Sequence, residues 1–312
     1  MALMNLISAV NHTLDLEMAR DESVVVFGED VGVEGGVFRA TVGLQKKYGE
    51  KRCFDTPLAE SAIVGAAIGM AINGLRPIAE IQFSGFVYPA YNQIISHVAR
   101  MRNRTRGQLS LPMVIRMPHG GGIKALEHHS ESLDTLLGHI PGLKVVTPST
   151  PYDAKGLLLS AIRDDDPVIF LEPSKIYRAF RKAKVLKQGT DLTVVTWGAY
   201  VHEVLKADRL LEEEGIRAEI IDLRTISPID KGTIVESVKK TGRFVVVHEA
   251  ARSFGPGAEL IALVNEGAFL YLEAPPTRIA GFDVTIPIPR GEHHYFMDAN
   301  RIAAGIRKVA KY

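Results

Sequence analysis

The chain has 312 residues, 46% apolar and 23% charged, an ordinary globular composition with length for two cores of about 100 to 200 residues each. A formal net charge of +1 excludes the broad basic footprint of a nucleic-acid binder, and the run Arg100, Arg102, Arg104, Arg106 reads as a solvated face in preference to a specific anion or partner contact. Cys53, the single cysteine, fits a reducing cytoplasm; no secretory pattern opens the chain, and Ala62 to Ile72 is too short for the roughly 20 apolar residues of a membrane span, so a soluble cytoplasmic protein without membrane contact is expected.

Leu3, Leu6, Ile7, Val10, Leu14 and Met18 keep helical spacing and predict an amphipathic helix over 3–20, followed by an apolar strand over 23–27. The loop GEDVG then places Glu29 and Asp30 at a strand end, where parallel sheets commonly hold ligands. Gly35 and Gly36 lead into a further helix, and 52–54 runs into FDTPLAESAIVGAAIGMAINGLRPIAEIQF. There Thr56 reads as an N-cap and Pro57 as the first helical residue, with Glu60 in the first turn. A first-turn Glu serves the helix dipole; held in apolar surroundings, it also suits a ligand's ring nitrogen. Ser61, Gly65, Gly69 and Asn73 form a row of small side chains that admits a close backbone neighbour, the candidate subunit contact.

Residues 77–83 read as a strand ending at Gln82, 86–103 as a helix, and 111–117 as a buried strand entering the glycine loop 118–122. The adjacent His128 and His129 are either surface residues or an imidazole facing a cleft, the group suited to general acid chemistry near neutral pH. A strand over 143–146, a capped helix from TPST, and a strand over 168–171 complete a mostly parallel sheet. RDDDP, between that helix and strand, is either a solvated turn or a cation site of oxygen ligands. The predicted division is a first domain over 1–176, a basic linker over 177–189, and a second doubly wound domain over 190–312 with strands in LTVVTWG, AEIIDL and RFVVVHE, a late strand and loop over PPTRIAGFDVTIP, and a closing helix over 299–310.

Read together, FGEDVG, GGVFR, TPLAE, IAEIQF, HHSES, PGLKVV, SAIRDDDP, IDLRTISPID and VVHEA strongly resemble, in order and along the whole chain, the beta subunit of the thiamine-diphosphate-dependent decarboxylating component of 2-oxo acid dehydrogenase complexes. The resemblance implies an α/β fold with an N-terminal thiamine-diphosphate pyrimidine-binding domain and a C-terminal transketolase-like domain. It implies an alpha subunit completing an alpha2beta2 heterotetramer and gripping the diphosphate and magnesium, which accounts for the absence of a GDG…NN signature here. A lipoyl-bearing dihydrolipoyl acyltransferase would accept the acyl group from a 2-oxo acid.

By the same resemblance Glu60 hydrogen-bonds the cofactor's pyrimidine N1′, and Leu58, Gln82 and Phe86 stand at cofactor-contacting positions. His129 serves substrate and lipoyl chemistry, and Glu29 communicates protons between cofactor sites. Met113, Ala161, Ile162, Asp164 and Asp166 match a structural potassium site. Three positions depart from the family: Phe86 stands where many relatives have an aromatic hydroxyl, Asp166 replaces an asparagine, and the connection over 177–184 is short. GGVFR, IAEIQF and LEPSKIYR favour branched-chain 2-oxo acids, with pyruvate or acetoin as competing substrates. A noncatalytic scaffold that docks the acyltransferase is the reading of a different class.

Overall fold

The computed structural model describes residues 4–177, 186–284, 287 and 291–312; most of the linker, including the shortened connection, lies outside them. Eleven strands are described: β1 (Val24–Gly28), β2 (Cys53–Asp55), β3 (Arg76–Glu80), β4 (Val114–His119), β5 (Lys144–Val146), β6 (Val168–Pro173), β7 (Leu192–Thr196), β8 (Ala218–Asp222), β9 (Thr225–Ser227), β10 (Phe244–Ala251) and β11 (Thr277–Gly281). The first sheet has the order β2-β1-β3-β4-β6-β5-β9 and the second β11-β10-β7-β8. Every pairing is parallel except β5 with β9. Parallel strands are covered on both faces, which is why β1, β4, β6 and β7 are buried at every position rather than at alternate ones.

β9 reaches across the expected domain division. Its three residues lie within the predicted second domain, yet they add an antiparallel edge to the first sheet, Val145 facing Ser227 and Val146 facing Thr225. One apolar core accordingly runs from Phe27, Ile63 and Ile115 to Trp197, Ile226, Ile234 and Leu260. The two sheets share packing as well as a linker.

Helix ends follow local chemistry. Asn5 caps the Leu6–Arg20 helix by accepting from Ser8 N at 2.8 Å. Thr150 caps Pro151–Arg163 by accepting from Asp153 N at 3.1 Å, with Pro151 in the first turn. The predicted 86–103 helix is broken into a 3₁₀ segment over Ser84–Ala90, one α turn over Tyr91–Gln93, a π turn over Ile94–Val98 and a short α segment over Met101–Arg104. Pro89 supplies no N–H within it. A helix over Pro256–Ala268 was not predicted, although Leu260 and Val264 keep the i,i+4 spacing and are buried. Among the described residues, no helix is long and apolar enough to cross a membrane.

Candidate active site

The carboxyl-terminal ends of β1, β2 and β3 lie side by side, with Gly28 in register with both Asp55 and Glu80. The chain leaving each strand builds one edge of the sheet. After β2, Thr56 N donates to Gly28 O at 3.0 Å, so the strand ladder continues and Thr56–Ala59 remain outside the helix. Thr56 therefore caps nothing and Pro57 is not helical; the helix spans Glu60–Ile72 with Ala59 at the N-cap. This shift makes Glu60 the first helical residue, 8% exposed, where the positive end of the helix dipole favours a carboxylate.

Glu29, just past β1, is 7% exposed. Burial pushes its carboxyl up to about 6, and the charges of Glu60 and Asp30 push in the same direction. The Glu60 carboxyl is thus close enough to act on Glu29. Asp30, held at φ 58°, accepts from Gln82 Nε2 at 2.8 Å, tying the loop after β1 to the loop after β3.

Beside them, His129 lies among aromatic rings, its centroid 4.5 Å from Phe83 and 5.0 Å from Phe86, both edge-on. Its Nδ1 is buried and has no hydrogen-bond partner among the described residues. The Glu127–His129 turn rests on the segment after β3. Ser84 Oγ donates to Glu131 O at 2.7 Å, and a Cβ on Gly85 would stand 2.0 Å from His128 O, so only glycine fits there. His128 is exposed, 6.4 Å from the Tyr88 ring. Of the two adjacent histidines, His129 is the half-buried one.

Under this edge lies a charged network that sequence reasoning did not single out. Arg116, 1% exposed, donates to Glu172 through Nε at 2.6 Å and Nη2 at 2.8 Å, and through Nη1 to Glu80; the Tyr177 hydroxyl also donates to Glu172. Burial raises the Glu80 pKa against the opposing pull of Arg116. The signal was present as an arginine inside the apolar strand VIRMP and a glutamate at the end of RPIAE. Phe83, quoted in IAEIQF but given no role, was also missed.

The structure thus draws Glu29, Glu60, Gln82, Phe86 and His129 to one sheet edge. Leu58 is 79% exposed in the segment leading to Glu60, with its side chain in solvent. The residues assigned to potassium lie elsewhere: Met113 and Asp166 precede β4 and β6, at the opposite end of the sheet. Their oxygens already accept protein donors. Arg76 Nη1 donates to Ile162 O at 3.1 Å and Asp164 O at 3.0 Å, Val168 N to Met113 O, Lys144 Nζ to the Asp164 carboxylate, and Arg102 Nε to Asp166 Oδ1 at 2.5 Å. Ala161 is buried in the same helix end.

Two domain families match the chain: "Transketolase, pyrimidine binding domain" over residues 3–179 and "Transketolase, C-terminal domain" over residues 181–302. A relative from Acholeplasma laidlawii, the pyruvate dehydrogenase E1 component subunit beta, is 65% identical over 324 aligned residues, covering 100% of this chain and 99% of its own. Those of Bacillus subtilis (strain 168), covering 100% of both chains, and Mycoplasma pneumoniae, covering 98% of both, are each 51% identical. This chain belongs to the E1 beta-subunit family of 2-oxo acid dehydrogenases. Members are components of thiamine-diphosphate-dependent oxidoreductases, and that assignment covers both halves of the chain. The solved split-gene transketolase titled as an inactive beta4 tetramer superposes with a TM-score of 0.80 over 97% of each chain at 23% identity, a likeness of fold. The branched-chain preference expected from short motifs finds no support among these relatives, whose names give pyruvate instead.

Proposed function

We propose that this chain is the beta half of an enzyme that decarboxylates pyruvate and passes the acetyl group to a lipoyl acceptor. The observation that carries pyruvate over branched-chain acids is the full-length 65% identity to a relative so named. The residues at the sheet edge fit the pyrimidine half of thiamine diphosphate. Two neighbouring carboxyls, an aromatic wall and an orphaned imidazole nitrogen form a donor and acceptor set with unmet capacity. When bound, that cofactor supplies the carbon nucleophile for the 2-oxo carbon and the electron sink for the departing carbon dioxide.

The chain's own residues then have separable tasks. Glu60, fixed at a helix start, holds a hydrogen bond to the pyrimidine N1′ and sets the protonation of the ring. Glu29, with its pKa raised to about 6, takes up or releases a proton beside Glu60 near neutral pH. Phe83 and Phe86 orient the His129 imidazole and exclude water from it, so that it gives a proton to the substrate oxygen or the lipoyl sulfur. The Leu58 segment and the exposed side of the Glu60–Ile72 helix meet an alpha-type partner that holds the diphosphate and magnesium. A potassium ion, if bound at Met113, Ala161, Ile162, Asp164 and Asp166, would share the Met113, Ile162 and Asp164 carbonyls with the protein donors they already accept, and its contribution there is structural.

The test is decarboxylation of pyruvate and of 2-oxoisovalerate with an artificial electron acceptor, for this chain alone and co-expressed with its alpha-type partner. Turnover by the pair only, dependent on thiamine diphosphate and magnesium and faster with pyruvate, is expected. Faster turnover of 2-oxoisovalerate would return the assignment to branched-chain acids, and turnover by the chain alone would end the split-site reading.

A further inference from the structure

His129 sits on a loop whose hold on the first domain is supplemented from the second. The loop leaves β4 at His119 and is closed at its base by Gly120 N donating to Glu131 O at 2.9 Å. Glu249, on β10 of the other sheet, reaches this base. Its Oε1 accepts from Gly121 N at 2.9 Å and from Ser132 Oγ at 2.8 Å, bracing the two ends of the loop with one oxygen. Glu292 grips the outgoing limb of the same loop, accepting from Gly122 N at 2.8 Å and Lys124 N at 3.1 Å. Gly120, at φ +75°, is shaped to this contact, since a Cβ there would lie 2.7 Å from Glu249 Oε1. Side chains that act on a catalytic group are held in place by such outer contacts.

We propose that Glu249 is a positioning residue for His129: by fastening Gly121 and Ser132, it sets where the second domain holds the imidazole against Phe83 and Phe86. The proposal rests on the reading of His129 as the group that faces substrate and lipoyl. Because both hydrogen bonds fall on one oxygen, an amide oxygen reproduces them. Glu249→Gln keeps the brace and Glu249→Ala removes it.

The assembled alpha-beta enzyme is assayed for pyruvate-dependent acetylation of a lipoyl domain, with assembly confirmed by mass, in Glu249→Ala, Glu249→Gln, His129→Ala and His129→Ala/Glu249→Ala. Hydrogen exchange over 120–132 is followed in parallel. Glu249→Ala is expected to lose about 10- to 100-fold in kcat, the scale of a displaced catalytic group, and to exchange faster over the loop. Glu249→Gln is expected to recover to within roughly three-fold of the parent, with parental exchange. The double variant is expected to be no slower than His129→Ala, because residues acting through one group are not additive. If His129→Ala is slow and Glu249→Ala adds its full loss on top, or if Glu249→Ala exchanges faster with unchanged kcat, the positioning role is overturned while the His129 reading stands. Full turnover by His129→Ala overturns both.

Discussion

Two carboxyls at one sheet edge divide the residue-scale chemistry by their surroundings. Glu60 opens a helix, and Glu29 follows a strand in a buried loop that pushes its carboxyl up to about 6. Glu60→Gln removes a proton donor and acceptor but keeps the side chain's shape. Turnover by the assembled enzyme is expected to fall about 10²- to 10⁴-fold with assembly unchanged, the range for a lost acid-base group. Retained turnover would remove Glu60 from the reaction. Glu29 makes a stability claim as well. Its folded pKa of about 6 exceeds the ordinary 4.5, so between those values the folded chain binds more protons and stability falls as pH rises. The penalty is complete about one pH unit above the folded value, on the order of 2 kcal/mol from the size of that shift. Glu29→Gln cannot ionise, so its melting temperature relative to the parent should rise between pH 4.5 and pH 8. A constant difference across that range would show that Glu29 is solvated in the assembled protein.

At the scale of elements, the Glu60–Ile72 helix shows what a sequence conveys and what it leaves out. Its apolar character and small-residue row were legible, and the structure puts Ile63, Val64, Ala67 and Ile68 inward. The opposite side, with Ala62, Gly65, Ala66, Gly69 and Ile72, is exposed, and a Cβ added to Gly65 or Gly69 meets nothing within 4 Å. A helix apolar on both sides has a second burial to make. Gly65→Leu is therefore expected to leave this chain folded but lower the mass of the alpha-beta assembly, read by light scattering; an unchanged mass would place the subunit contact elsewhere. The helix start was misread because Thr56, Pro57 and Leu58 carry the composition of a cap while the sheet claims their backbone. The charged network was hidden for a related reason, since Glu80, Arg116 and Glu172 come from three strands that only the pairing of the sheet brings together. Arg116→Ala would leave two buried carboxylates uncompensated, an expected loss of about 3–5 kcal/mol in chemical denaturation. A loss below about 1 kcal/mol would mean that water reaches the network.

On the scale of the whole molecule, the two sheets exchange parts, and these exchanges are the features least visible in sequence. Repeated strand-helix patterning made both doubly wound sheets legible, and ordered motifs made Glu29, Glu60, Gln82 and His129 legible as a set. Neither told that Thr225–Ser227 would extend the first sheet or that Glu249 would grip a loop 128 residues earlier. Contacts at such separations leave no period and no motif. They also bear on how the chain unfolds. A division at the linker alone predicts two independent transitions, whereas a core that runs through Trp197, Ile226 and Leu260 into the first sheet, with β9 paired to β5, couples the two halves. Urea unfolding of the assembled enzyme, followed separately by Trp197 fluorescence in the second half and by hydrogen exchange across β3 and β4 in the first, is expected to give coincident midpoints. Ile226→Ala, at the strand that crosses over, should lower both midpoints together through the loss of about 2–5 kcal/mol of buried contact. Separate midpoints, or a shift confined to the fluorescence, would show that β9 is an ornament of the first sheet and that each half keeps its own core.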